Sequence, residues 1–253
     1  MGELPTYAMP FSRRNDSEKS FLSGWEKVLG ESPLSDVEKF MNFPMYAARQ
    51  DLARFLFRAE IFREVLKVHG SIIECGVAYG GGLMAFAQLS AILEPTNYTR
   101  QIIGFDTFAG FPTVHAKDQG KDSSYAKPGA MSADTYEELQ KCAEMYDFNR
   151  PLGHLSKVQL VRGDICETAA KYVAENQHLV VSLLYLDADL YEPTRAALKA
   201  FLPRMPKGAI IAFDEVNHPD WPGETMAMLE TLNLRDIELV RVPYDTTRCY
   251  ARL

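Results

Sequence analysis

Two apolar runs in this sequence end in acidic residues. Leu183-Leu184-Tyr185-Leu186 leads into Asp187-Ala188-Asp189-Leu190-Tyr191, and Ile210-Ile211-Ala212-Phe213 leads into Asp214-Glu215. If the two runs are neighbouring strands, their tips lie about 4.8 Å apart. Asp187 and Asp214 would then face one another, with Asp189 and Glu215 close by. Four carboxylates at that spacing repel unless a cation or shared protons relieve them. Hard oxygen donors with no cysteine nearby favour Mg²⁺ or Mn²⁺ over zinc. The plainer alternative is a set of solvated caps and turn residues. His218, just downstream, fits a surface or packing role.

Three earlier strand exits add to the pattern. Glu74-Cys75-Gly76-Val77-Ala78-Tyr79-Gly80-Gly81-Gly82 follows the first run with the spacing ExGxxxGG, not GxGxxG. Glycines at such a turn let backbone N–H groups and a helix start approach a ligand closely; a tight turn with no ligand is the alternative. Asp106, after Phe105, stands where a carboxylate can accept from the two hydroxyls of a ribose, or can cap a turn. Asp164, in Val161-Arg162-Gly163-Asp164-Ile165, is either another carboxylate at a strand tip or the N-cap of a helix over Ile165–Glu175.

Bringing these exits to one edge requires an α/β sheet. Runs at Ser71–Cys75, Gln101–Phe105, Val158–Val161, Leu183–Leu186 and Ala209–Phe213 read as buried strands. They alternate with helical segments at Gly82–Leu93, Asp134–Tyr146, Cys166–Glu175 and Pro193–Leu202, the pattern of a parallel sheet covered on both faces. Ile237–Val242 and Thr247–Arg252, separated by Pro243–Thr246, predict a terminal hairpin. Upstream, Leu52, Phe55, Leu56, Ala59, Phe62, Val65 and Leu66 form one helical stripe within Met45–Val68.

The 253 residues are expected to form one domain, with 1–69 a helical extension and 110–133 a long loop that could serve as a lid. The extension exceeds what the sheet needs and points to a homo-oligomer or a cover over the site. Lys117, Lys121 and Lys127 in the loop could meet a diphosphate or simply be solvated. Trp221 and Tyr191 could stack on a sugar face or pack in the core.

Lys+Arg 27 against Asp+Glu 34 gives a net charge of −7, which argues against a nucleic-acid partner. No apolar stretch approaches the ~20 residues of a membrane span, and MGELPTYAMPFSRRNDSEKS carries no apolar signal core. The four cysteines show no CxxC spacing, as expected of reduced thiols in a cytoplasmic protein.

Taken in order, ECGVAYGGG, FDTFAGFP, LLYLDADLYEPT and IIAFDEVNH resemble the macrocin-type deoxysugar O-methyltransferases, from about Arg49 onward. The resemblance implies a class I S-adenosylmethionine-dependent methyltransferase (Rossmann-like) fold, with a seven-stranded, mostly parallel sheet. It also implies Mg²⁺ as a second cofactor. Carried over, the donor site falls on Glu74, Gly76, Val77, Tyr79, Gly80 and Gly81. Asp106 and Thr107 fall on the ribose side, Asp164 and Ile165 near the adenine, and Asp187 borders both donor and ion. The metal triad falls on Asp187, Asp214 and Glu215, the last a departure from the family's usual Asp. Asp189 takes the place of the general base.

The implied acceptor is a small-molecule sugar, either a nucleotide-activated deoxysugar such as TDP-rhamnose or a sugar already on an aglycone. The main rival is a metal-dependent glycosyltransferase, which also uses DxD after an apolar strand. That rival leaves the glycine turn and the second acidic pair unexplained. A nicotinamide dehydrogenase fits the glycine spacing less well, and a non-catalytic binding protein does not explain the intact acidic cluster.

Overall fold

A computed structural model describes residues 15–121 and 124–253. Contacts divide the chain into two compact units, one up to Arg54 and one from Phe55 onward.

The first unit holds α1 (Asp16–Glu31), α2 (Asp36–Met41) and a short 3-10 turn at Phe43–Met45. α2 starts in a capping box: the Ser35 side chain accepts from the Glu38 N–H, and Glu38 accepts from the Ser35 N–H. The Trp25 indole donates to the Tyr46 carbonyl.

The second unit begins inside α3 (Arg49–Val65), shorter than the stripe predicts because the chain is in the 3-10 turn as far as Met45. It continues through β1 (Ser71–Cys75), α4 (Gly81–Leu93), β2 (Ile102–Asp106), α5 (Tyr136–Asp147), β3 (Val158–Arg162), α6 (Ile165–Glu175) and β4 (Val181–Leu186). Then follow α7 (Tyr191–Phe201), β5 (Ile210–Phe213), α8 (Pro222–Thr231), β6 (Leu239–Arg241) and β7 (Cys249–Arg252). Helix α8 was not anticipated. Pro222 at its first turn is the start signal that could have revealed it.

Among the described residues the sheet has seven strands in the order β3-β2-β1-β4-β5-β7-β6. β1 through β5 are parallel, and β7 runs antiparallel between β5 and β6. The hairpin strands are shorter than predicted because the Asp245 carboxylate accepts from the Thr247 and Arg248 N–H groups and bends the chain there.

β1 and β4 are buried along their whole length and alternate faces with the two-residue strand period. Ile72, Leu183 and Tyr185 pack with Phe57, Phe62 and Phe86 on one face. Ile73, Leu184 and Leu186 pack with Phe201 and Phe213 on the other. A side chain fully buried in this way contributes about 1.5–3 kcal/mol.

From β1 the chain steps to β2 on one side, and β4 lies on the other. The order therefore reverses at β1/β4, which opens a crevice beyond their carboxyl ends. The two exits touch: a Cβ on Gly76, whose φ is +93°, would lie 1.9 Å from the Asp187 carbonyl oxygen. Only glycine tolerates both that backbone and that approach.

Each parallel strand is followed within a few residues by a left-handed backbone position. These are Ala78 (φ 47°), Phe108 (φ 55°), Gly163, Asp189 (φ 59°) and Asn217 (φ 64°).

Candidate functional site

The turn after β1 is braced from the neighbouring strand. Asp106 Oδ2 accepts from the Val77 and Ala78 N–H groups at 2.7 and 2.8 Å, and Oδ1 accepts from Phe108 N–H at 2.6 Å. With Oδ2 saturated and one lone pair of Oδ1 spent, one acceptor position remains on Oδ1. Thr107, beside it, donates to the Gly110 carbonyl and accepts from Ala109 N–H.

Gly80 adopts the left-handed conformation at the start of α4, and a Cβ on Gly81 would meet nothing within 4 Å. That exposed backbone at a helix start fits an extended polar ligand. Tyr79 is exposed beside it and Val77 is buried. Asp164 caps α6, accepting from Cys166 N–H at 2.9 Å, and Ile165 packs in the core.

The strand register brings the acidic exits side by side. Leu186 pairs with Phe213, so Asp187 and Asp214 are the next residues of adjacent strands. Their N–H groups extend the ladder, to the Cys75 and Leu186 carbonyls respectively. Two guanidinium groups then divide the carboxylates.

Arg58, buried on α3, lies 3.1 Å from Glu74 Oε1 and 3.4 Å from Asp187 Oδ2. Its guanidinium also sits 4.5 Å from the centre of the Tyr185 ring. Tyr185 donates its hydroxyl to Asp214 Oδ1 at 2.8 Å. Arg248 grips the same carboxylate, with Nε 2.6 Å from Oδ1 and Nη2 2.7 Å from Oδ2, and holds Asp245 with Nη1.

Behind them Glu224, fully buried on α8, accepts from the Glu215 N–H at 2.9 Å. Its Oε2 and that of Glu215 are buried without a hydrogen-bond partner. Among the described residues, no three His, Cys, Asp or Glu side chains gather closely enough to hold a metal ion together. Asp187, Asp214 and Glu215 are thus neighbours in the fold, but their carboxylates do not converge as the sequence suggested. Arg58 draws one aside and Arg248 holds another.

Charge repulsion at this edge is still large. Loss of hydration, then the charges of Asp187 and Asp214, push the Asp189 carboxyl well above its usual range. Burial and then Asp189, Asp214 and Glu224 push Glu215 up to about 10. Glu224 is likewise raised by burial. Burial also takes Glu74 to about 8, outweighing the pull of Arg58. A surplus of hard oxygen donors, one of them the unpartnered Glu215 Oε2, fits a divalent cation in kind.

Several described residues of the 110–133 segment bond to the helices and turns beside it. Asp118, buried, accepts from the Tyr191 and His115 N–H groups, both at 2.7 Å. Lys121 N–H bonds the Pro219 carbonyl, and the Phe111 ring packs edge-on against Trp221 at 6.2 Å. Lys117 pairs with Glu230 and lies 4.0 Å over the Tyr191 ring. Tyr191 and Trp221 are therefore packed against this loop, and Lys117 is committed to a carboxylate.

Sequence reasoning missed Arg58, Glu224, Arg248 and Asp118. Only Arg58 carried a local signal: it falls between Phe55 and Phe62 at stripe spacing, a cation on an apolar helix face.

A family model described as macrocin-O-methyltransferase matches residues 52–241. No curated protein matches the sequence. Among solved structures, the calicheamicin methyltransferase CalS11 is 36% identical over 94% of this chain and 93% of that chain, with a TM-score of 0.89. An apo structure of CalS11, described as a TDP-rhamnose 3'-O-methyltransferase of calicheamicin biosynthesis, is 35% identical over 94% and 95%, with a TM-score of 0.81. The O-methyltransferase NovP, 20% identical over 79% and 78% with a TM-score of 0.60, shares the fold.

Proposed function

We propose that this chain, which belongs to the macrocin O-methyltransferase family, moves the methyl group of S-adenosylmethionine onto a deoxysugar hydroxyl with the help of Mg²⁺. The observation that carries this reading is the carboxylate surplus at the β4 and β5 exits, beside the glycine turn where the sheet order reverses. CalS11, by its description, acts on TDP-rhamnose. A nucleotide-bound sugar of that type is the acceptor we infer here.

S-adenosylmethionine, when bound, supplies an electrophilic methyl group on a positively charged sulfur. The turn from Glu74 to Gly81 would cradle it with backbone N–H groups, and Asp106 would offer its remaining lone pair to the ribose. Asp164 and Ile165 would border the adenine. The acidic edge favours a cationic donor over its neutral product.

Mg²⁺, when bound, supplies Lewis acidity toward the acceptor hydroxyl. Asp187, Asp214 and Glu215 would hold it; Asp214 Oδ2 carries one donor, Arg248, where Oδ1 carries two, Tyr185 and Arg248, so Oδ2 has the more room for an ion. Asp189 would take the acceptor proton. Burial and the neighbouring carboxylates favour the protonated form of Asp189, and a divalent cation bound beside it would favour the ionised form a base needs. Holding donor and acceptor in line supplies the remainder.

The test is formation of S-adenosylhomocysteine with and without Mg²⁺, across TDP-deoxysugars and glycosylated aglycones. Turnover with TDP-rhamnose that stops in EDTA is the expected result. Donor binding with no transfer to any sugar would end the reading, and full turnover in EDTA would remove the ion from it. Exposed Phe40, Met41 and Met45 in the first unit support the reading as a homo-oligomer, which light scattering measures directly. No described helix is long and apolar enough to cross a membrane.

A further inference from the structure

Asp189 occupies a conformation that few side chains adopt unaided. Its φ is +59°, inside a tight turn closed by the Leu190 N–H on the Ala188 carbonyl at 2.6 Å. Such a residue keeps one orientation only where its surroundings over-determine it. The next element offers no help from its own sequence: α7 begins at Tyr191, and its N-cap residue, Leu190, has no side chain that can accept a hydrogen bond.

The missing acceptor comes from the 110–133 loop. Asp118 Oδ1 takes the Tyr191 N–H, and Oδ2 takes the His115 N–H within the loop, so both oxygens are committed. The residue is 1% exposed. A third segment leaves room for it: a Cβ on Gly223, in the first turn of α8, would lie 2.0 Å from Asp118 Oδ1 and 2.7 Å from the Tyr191 nitrogen. Around this point His115 packs on the Tyr191 ring at 4.9 Å, and the Tyr191 hydroxyl donates to Glu230 at 2.6 Å. The loop thus fastens the backbone two residues beyond Asp189.

We propose that Asp118 is a positioning residue for Asp189, a helix cap supplied from the loop that aims the base at the acceptor. This rests on the reading of Asp189 as the general base. The loop is then a working part of the site and not a cover over it: a displacement that breaks the Asp118 contact also releases the turn carrying the base.

The test uses the full chain with TDP-rhamnose as acceptor probe and three variants: Asp118→Ala, Asp118→Asn and Asp189→Asn. Asp118→Ala should lower kcat about 100-fold with KM for S-adenosylmethionine within about twofold, the pattern of lost alignment and not lost binding. Asp118→Asn keeps one acceptor and turns the other toward an N–H as a donor, so kcat should fall about 10-fold. Amide exchange across Ala188–Glu192 should quicken about tenfold in Asp118→Ala, with α6 unchanged and S-adenosylhomocysteine binding retained by calorimetry.

A kcat within threefold of wild type overturns the proposal. So does unchanged exchange at Ala188–Glu192, whichever acceptor is used. Loss of S-adenosylhomocysteine binding in both Asp118 variants makes Asp118 a residue of the fold alone and also overturns it. Full turnover by Asp189→Asn overturns the base reading itself, and is recognised apart because it leaves the exchange effect of Asp118 in place.

Discussion

The two edges of the central sheet treat buried charge in opposite ways. At the amino ends of the strands, Arg100 is buried and bonds the Gly70, Val65 and Val68 carbonyls and the Ser182 hydroxyl, while its Nε pairs with Glu94 at 2.7 Å. One cation meets one carboxylate and several carbonyls. At the carboxyl ends, Arg58 pairs with Glu74 and Asp187, and Arg248 with Asp214 and Asp245, while Glu74, Glu215 and Glu224 each keep a buried oxygen without a hydrogen-bond partner. The first arrangement is closed and fastens three elements. The second has more carboxylates than cations, and holds the excess by keeping carboxyl groups such as Glu74 and Glu215 raised above their ordinary range. Burial alone does not distinguish a structural ion pair from a functional one; the balance of partners does.

The largest effect expected is on catalysis at the acidic edge. Asp189→Asn should cut kcat by about 10²–10⁴-fold, with S-adenosylhomocysteine affinity and melting temperature close to wild type. A variant with near-wild-type turnover would break the contrast, since the surplus acid would then be inert.

The opposite edge should respond in the other currency. Arg100→Ala removes the cation from Glu94, which keeps only Ser90 and Asn97, and takes a donor from the Val65, Val68 and Gly70 carbonyls, and should cost about 3–5 kcal/mol in denaturant unfolding. Whatever protein remains folded should bind S-adenosylhomocysteine normally.

The pH response sharpens the comparison further. The folded protein holds Glu74 and Glu215 at about 8 and about 10, against an ordinary value of 4.5. Between about pH 5 and 8 the folded state therefore binds more protons than the unfolded chain, and stability is lost as pH rises. In EDTA the melting temperature should be higher at pH 6 than at pH 8, and Glu215→Gln should flatten that slope. A melting temperature that climbs toward pH 8 would mean these carboxylates are stabilised as anions.

The smallest effect is ligand stabilisation. Millimolar Mg²⁺ should raise the melting temperature by a few degrees at pH 8 and by less at pH 6, because an ion competes with protons for the same oxygens. An equal shift at both values would place the ion elsewhere.

Much of this was legible because buried parallel strands write themselves as short apolar runs. β1 matches the predicted Ser71–Cys75 span in full, and the Leu186/Phe213 register follows from two runs that end in acids. What stayed hidden were partners distant in sequence. Arg58 meets Asp187 across 129 positions and Asp118 meets Tyr191 across 73, and neither distance leaves a periodic trace. Asp106 was legible as an acid at a strand tip, yet not as the brace of the glycine turn, because that depends on where the Val77 and Ala78 N–H groups point. Asp164 illustrates the reverse: capping α6, the plainer of its two readings, is what the fold displays.

The left-handed residues that follow the parallel strands bear on any attempt to make this protein more robust. Ala78, Phe108 and Asp189 each hold a backbone shape costing about 1–3 kcal/mol. A thermostability screen that admits glycine at those places should enrich for it, because relief of the strain is immediate. The same winners would slacken the turns that carry the proposed donor contacts and the proposed base, so a campaign scored on heat resistance alone would drift toward hardy, idle variants.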